Sequence, residues 1–157
     1  MIGSLVATDE TRWDLTVLRA TLAAVLWPHG AQKLFGWFGG FGFEGTAGYF
    51  TDTVGLPWAV GVLVILLEFF APLLLLAGFA TRANAAAVLA IMVGAATLGG
   101  HFEHGFFMNW FAQQAGEGIE FHLLAGAMAI ALLIGGGGAR SADAALQGVK
   151  DVAFEHD

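Results

Sequence analysis

Four long apolar runs, separated by short polar or glycine-rich connections, organise this chain. The first, Leu15 to Phe35, is apolar through Trp27 and then carries Pro28, His29, Gln32 and Lys33. The second, Leu56 to Ala80, reads LPWAVGVLVILLEFFAPLLLLAGFA and is broken only by Glu68 and Pro72. The third, Ala83 to about Gly99, is alanine-rich and uncharged, and the fourth, about Ile119 to Gly136, has Glu120 and His122 at its start. None shows the polar residue at every third or fourth position that a helix in a soluble bundle needs. A helix crosses a bilayer with about 20 apolar residues. The pattern therefore predicts an all-α integral membrane protein: a bundle of four transmembrane helices over 15–35, 56–80, 83–99 and 119–136, with short loops. One domain is expected over 1–145, followed by a short acidic tail, 146–157. The stretch from Ser141 onward reads as an N-capped helix.

Composition strengthens this reading. Hydrophobic residues make up 57% of the chain and charged ones 12%, against about 25% charged in an ordinary soluble domain. Lipid is the solvent such a surface calls for. The connections 36–55 and 100–118 contain no Lys or Arg, whereas Arg12, Arg82, Arg140 and Lys150 flank the opposite ends of the runs. The positive-inside rule then predicts that both termini are cytoplasmic. The N-terminal stretch lacks the basic region and cleavage site of a signal peptide, so the first helix is expected to stay as an anchor. The net charge of −7 argues against nucleic acid as a partner. No cysteine is present, which removes disulfides and thiolate metal sites.

Glycine is abundant, with 23 residues. Gly61, Gly78, Gly94 and Gly126 are expected to let helices approach closely. The clusters Gly39 to Gly42 and Gly135 to Gly138 lack the strand–loop–helix setting of a phosphate loop.

An ionisable group in hydrocarbon costs at least about 2.5–3.5 kcal/mol, so the ones inside the runs call for partners or a purpose. They are Arg19, His29, Lys33, Glu68, Glu120 and His122. His29 and Lys33 share a helix face at i,i+4 spacing, and Glu68 lies roughly 16–18 Å from the outer end of its run. Five of the six, all but Arg19, converge in the outer half of the bundle, with Gln32 and Asn109 near enough to join. Several readings stay open. Glu120 and Lys33 can form an interfacial ion pair. Glu68 is either a neutral interhelical hydrogen-bond donor or a proton-handling, ligand-contacting group. His29 can bond the carbonyl that Pro28 frees, and His122 can be a packed histidine. Arg19 either snorkels or pairs with Asp143, a structural role in both cases.

Quinone chemistry suits this set. A quinone needs an apolar slot, donors to two carbonyl oxygens and a titratable group that moves protons. His29, Lys33 and His122 supply donors, Glu68 or Glu120 carries protons, and Trp27, Trp37, Trp58, Phe69, Phe70 and Phe121 would wall the ring. Haem would have only His29 and His122 as axial ligands. His101 and His104 stand at i,i+3 without further fixed ligands. Neither haem nor metal is expected.

The same residues carry a family resemblance. Leu18-Arg19, HGAQKLFGWFGGFG from His29 to Gly42, Glu68, the turn from Gly78 to Thr81-Arg82, the segment Gly105 to Trp110, Glu120-Phe121-His122 and Ser141-Ala142-Asp143 together resemble the DoxX family, from about residue 12 to 145. The resemblance implies a four-helix bundle in a prokaryotic cytoplasmic membrane. It also implies similarity to the small subunits of thiosulfate:quinone oxidoreductase, other relatives being partners of oxidoreductases or assembly factors. The resulting expectation is a membrane subunit of a quinone-linked oxidoreductase system. His29, Lys33, Glu68, Glu120 and His122 would bind quinone, with Glu68, His29 and His122 handling protons. Expected partners are the bilayer, quinone, a soluble or membrane oxidoreductase subunit and a further copy of the chain. The alternative is a scaffold that recruits a soluble oxidoreductase, the polar cluster then being structural. A transporter is less favoured, since inverted repeats and broken helices are missing.

Overall fold

Helix boundaries follow the glycines and prolines of the sequence. In the computed structural model, which describes residues 6–154 and side chains to Gly148, all regular structure is helical. Helix α1 spans Trp13–Phe35 and stops at Gly36, which still bonds the Gln32 carbonyl through its N–H but turns the chain out of the helix with a left-handed φ of 73°. A single 3-10 turn (Trp37–Gly39) leads to the short α2, Gly42–Gly48, and a π-turn at Tyr49–Thr53. Helix α3, Trp58–Ala77, starts just after Pro57 and ends at Gly78. There the N–H groups of Gly78 and Phe79 bond the carbonyls of Leu75 and Leu74, the Schellman pattern that a left-handed glycine permits. Helix α4, Thr81–Leu98, turns straight back, a 3-10 turn covers His101–His104, and α5, Glu120–Gly135, and α6, Ala142–Phe154, complete the chain.

Helices α1, α3, α4 and α5 pack in a ring, with α1 against α3 and α4 against α5 as the most extensive contacts. Leu22, Leu26, Leu75, Val88, Ala129 and Leu132 fill its centre. The outside is also apolar: Leu63, Phe70, Leu76, Leu123 and Ile134 are exposed. An outer face of this kind is suited to contact with lipid or with another protein.

The expected count of four transmembrane helices does not hold. Two helices among the described residues are long and apolar enough to cross a membrane: α3, with mean hydropathy 2.6, and α4, with 1.4. Only 28% and 39% of these stretches are buried, so neither is the core helix of a soluble fold. Helix α1 has sufficient length but carries Asp14, Arg19, His29, Gln32 and Lys33. Helix α5 has 16 residues, about 24 Å at 1.5 Å per residue, short of a hydrocarbon core of about 30 Å. The end of the acidic tail, 155–157, lies outside the described residues.

A buried polar knot closes one end of the ring. Arg19 is 3% exposed and Asp143 1%, and they serve the two sides of the α3–α4 turn. The Arg19 guanidinium donates to the carbonyls of Leu75 and Leu76 at the end of α3 and to those of Gly137, Ala139 and Arg140. Asp143 accepts from the N–H groups of Ala80 (2.7 Å) and Thr81 (2.8 Å) at the start of α4. The carbonyls and amides that helix ends leave orphaned are thus satisfied from other parts of the chain. Arg19 and Asp143 form no direct ion pair: among the described residues the ion pairs are Arg12–Asp14 and Lys33–Glu68. Gly78 has no room for a side chain here, since a Cβ would stand 2.8 Å from the Ser141 Cα and 3.0 Å from the Arg19 guanidinium carbon.

Candidate functional site

The site begins with a close helix contact. Pro72 has no N–H, so the Glu68 carbonyl four residues before it lacks its helical donor. Gly30 of α1 packs against that gap; a Cβ on Gly30 would lie 2.6 Å from the Phe69 Cα and closer still to the Glu68 carbonyl. This approach brings Lys33, one turn beyond Gly30, onto the Glu68 side chain. The Lys33 ammonium stands 2.5 Å from the Glu68 carboxylate, with the side chains 29% and 14% exposed. A cation reaches the mid-helix carboxylate, and the pairing is with Lys33 of α1 rather than between Lys33 and Glu120.

The pair borders a cavity of about 650 Å³ between the helices. His29, Lys33, Glu68 and His122 all line it, together with His101 and Phe121. The His29 ring lies 5.8 Å from that of Phe121, and the His122 ring 4.2 Å from that of His101. His101 Nδ1 is 2.7 Å from the Glu117 carbonyl oxygen, which makes Nδ1 the protonated nitrogen. His122 Nδ1 is buried without a protein partner. Leu63, Val64 and Leu67 of α3 and Val88, Ile91 and Ala95 of α4 give it an aliphatic wall, and Tyr49, Phe50 and Glu117 also line it.

Several expectations need correction. The polar residues are not buried: His29 is exposed, and Lys33, Glu68 and His122 are half-buried, because they face an open cavity. Glu120 does not line it. Its carboxylate accepts the Met108 N–H at 3.1 Å, while the N–H groups of Gly118, Ile119 and Glu120 bond the carbonyls of Phe107, Gly105 and Phe106. Glu120 therefore pins the long loop before α5. Asn109 belongs to that loop too, bonding Gln114 in both directions. Of the six aromatic residues expected as ring walls, Phe121 alone faces the cavity. Trp27, Phe35, Trp37 and Phe69 stack on one another instead, with centroids 5.1–6.2 Å apart.

Two residues of the candidate site escaped the sequence reading. His101 joins the cavity because the loop after α4 folds it onto His122; its only sequence signal was the short spacing to His104. Gly30 sets the α1–α3 distance, and its signal was a small residue between His29 and Lys33. Among the described residues no group of three His, Cys, Asp or Glu side chains can hold a metal.

An all-helical membrane protein with a polar-lined cavity between its helices is the class that this fold and site define. The chain belongs to the DoxX family, whose model matches residues 15–102, more than half of its length. The matched stretch holds His29, Gly30, Lys33, Glu68 and His101 but ends before Glu120, His122 and Asp143. No curated protein and no solved structure matches the chain.

Proposed function

We propose that this DoxX protein is a quinone-interacting membrane subunit of an oxidoreductase system, with α3 and α4 crossing the bilayer as an antiparallel pair. The observation that carries the reading is the cavity of about 650 Å³ in which Lys33, Glu68, His29 and His122 meet an aliphatic wall. Its size falls within the range of small-molecule sites, and a few polar groups on an apolar lining are what such sites use for orientation. A bound quinone would supply the electron-accepting chemistry. Lys33 Nζ is the donor for one quinone oxygen, held in place by Glu68 at 2.5 Å. The Glu68 carboxylate is the group that takes and returns a proton. His122, whose Nδ1 has no protein partner, can present that nitrogen to the ligand, and His29 is the second donor. With no cysteine in the chain, any sulfur chemistry would need a partner subunit or substrate thiols.

The test is quinone binding to the purified, detergent-solubilised protein. Wild type should bind, and Glu68→Gln should bind at least tenfold more weakly. Equal binding by both, or by neither, removes the reading.

A scaffold role draws on a different observation. The loop pinned by Glu120 presents Trp110 and Phe111 at 76% and 82% exposure, a surface suited to a partner oxidoreductase subunit. Under that reading the wild-type protein pulls down an oxidoreductase subunit from solubilised membranes, and Trp110→Ser with Phe111→Ser abolishes the capture. A monodisperse, partnerless wild-type protein counts against it.

A further inference from the structure

The cavity does not end at its polar residues. Along α3 its wall runs from Val60 to Pro72, a rise of about 18 Å at 1.5 Å per residue. Along α4 it follows Ala87, Ile91, Gly94 and Leu98, a 4-3-4 spacing that places them on one helix face. The void therefore lies along the seam between the two helices that are apolar enough to span a membrane. It also reaches the outer surface there: Val60 and Leu63 line it and are 42% and 54% exposed. On a membrane protein that surface faces hydrocarbon.

Gly94 sits at the middle of the seam. It lies inside α4, where glycine costs helix stability against almost any other residue. A Cβ on Gly94 would meet nothing within 4 Å. Gly30 and Gly78, by contrast, are held against neighbouring backbone or side chains. No protein packing requires a glycine at position 94, yet its absent side chain keeps the seam open.

We propose that the α3–α4 seam is a lateral entrance from the bilayer that takes the hydrocarbon tail of the ligand, with Gly94 setting its width. This rests on the cavity being a ligand site, as in the quinone reading. The ligand is thus a long-tailed amphiphile whose carbonyl-bearing head sits at Lys33, Glu68 and His29, and it arrives through lipid rather than through water. A quinone with a hydrocarbon tail and a fatty acid both have this chemistry.

The test compares wild type with Gly94→Leu, using a decyl-tailed benzoquinone and its tail-less parent as probes. Gly94→Leu should fold, because it gains helix propensity and meets no neighbour. It should bind the tailed quinone at least tenfold more weakly than wild type and the tail-less parent equally well. Val93→Leu, on a part of α4 outside this cavity, should change neither. Loss of both quinones in Gly94→Leu, or of neither, overturns the lateral entrance. If wild type binds no quinone, the quinone reading falls separately, and a diazirine-bearing fatty acid then probes the seam. Photolabelling of α3 and α4 beside Gly94 that Gly94→Leu abolishes supports a fatty-acyl source. Labelling that is absent, or that Gly94→Leu leaves unchanged, overturns the proposal.

Discussion

Gly30 of α1 rests on the backbone of Glu68 in α3, at the carbonyl that Pro72 deprives of its helical donor. One glycine and one proline on different helices thus create the contact that delivers Lys33 to the Glu68 carboxylate. A close Cα–H approach to a free carbonyl recurs at helix interfaces and contributes modestly. The larger consequence is geometric, because without it the α1 and α3 axes move apart and the ion pair opens.

Gly30→Ala should therefore be costly despite the better helix propensity of alanine. The added Cβ meets backbone rather than a movable side chain, so α1 has to shift. A loss of about 1–3 kcal/mol is expected, typical of overpacking. Thermal unfolding in detergent checks it, and an unchanged melting temperature would show that the helices accommodate the methyl group.

Lys33→Met leaves Glu68 half-buried and uncompensated, whereas Lys33→Met combined with Glu68→Gln leaves no charge. The double variant should be more stable than Lys33→Met alone, since breaking one side of a shielded pair is worse than removing both. A thermodynamic cycle over the four proteins measures this. Additive effects would mean that the pair is solvated and contributes little.

Arg19→Met should be among the most damaging single substitutions. It removes the donor to five carbonyls from two parts of the chain. Leaving several buried acceptors unsatisfied costs about 1–3 kcal/mol each. Asp143→Ala, which uncaps two amides of α4, should cost less, on the order of 1–2 kcal/mol for a lost cap. Yield and melting temperature of the two variants rank them; the reverse order would contradict the capping account.

Phe121→Ala should weaken quinone binding several-fold, while Trp27→Phe should leave it unchanged. Phe121 lines the cavity beside His29, and Trp27 belongs to the aromatic stack of Phe35, Trp37 and Phe69. Titration of each variant with the decyl-tailed quinone distinguishes them. Equal losses would place the ligand against the stack instead.

The sequence by itself determined that the chain is helical and where helices α3, α4 and α5 begin and end, to within three residues. Apolar run length and the punctuation by Gly78, Pro57 and Gly136 are local properties, and local chemistry sets helix ends. It also determined membrane character, since 12% charge cannot cover the surface of a soluble domain. The grouping of His29, Lys33, Glu68 and His122 was legible because helix rise fixes the depth of each residue. Tertiary structure decided the rest. Helix rise gives depth but not rotation, so which carboxylate meets Lys33 was left to the contact at Gly30. The six-residue set of aromatic walls failed for the same reason: Phe121 turns to the cavity, whereas Trp27 turns to Trp37 and Phe69. Glu120 went to the loop because backbone amides at residues 106–119 needed partners, a demand visible only once the chain is folded. The number of helices fit to span the bilayer also turned on folded boundaries. Helix α5 stops after 16 residues, and the polar side chains of α1 are drawn into the Arg19 knot and the cavity wall.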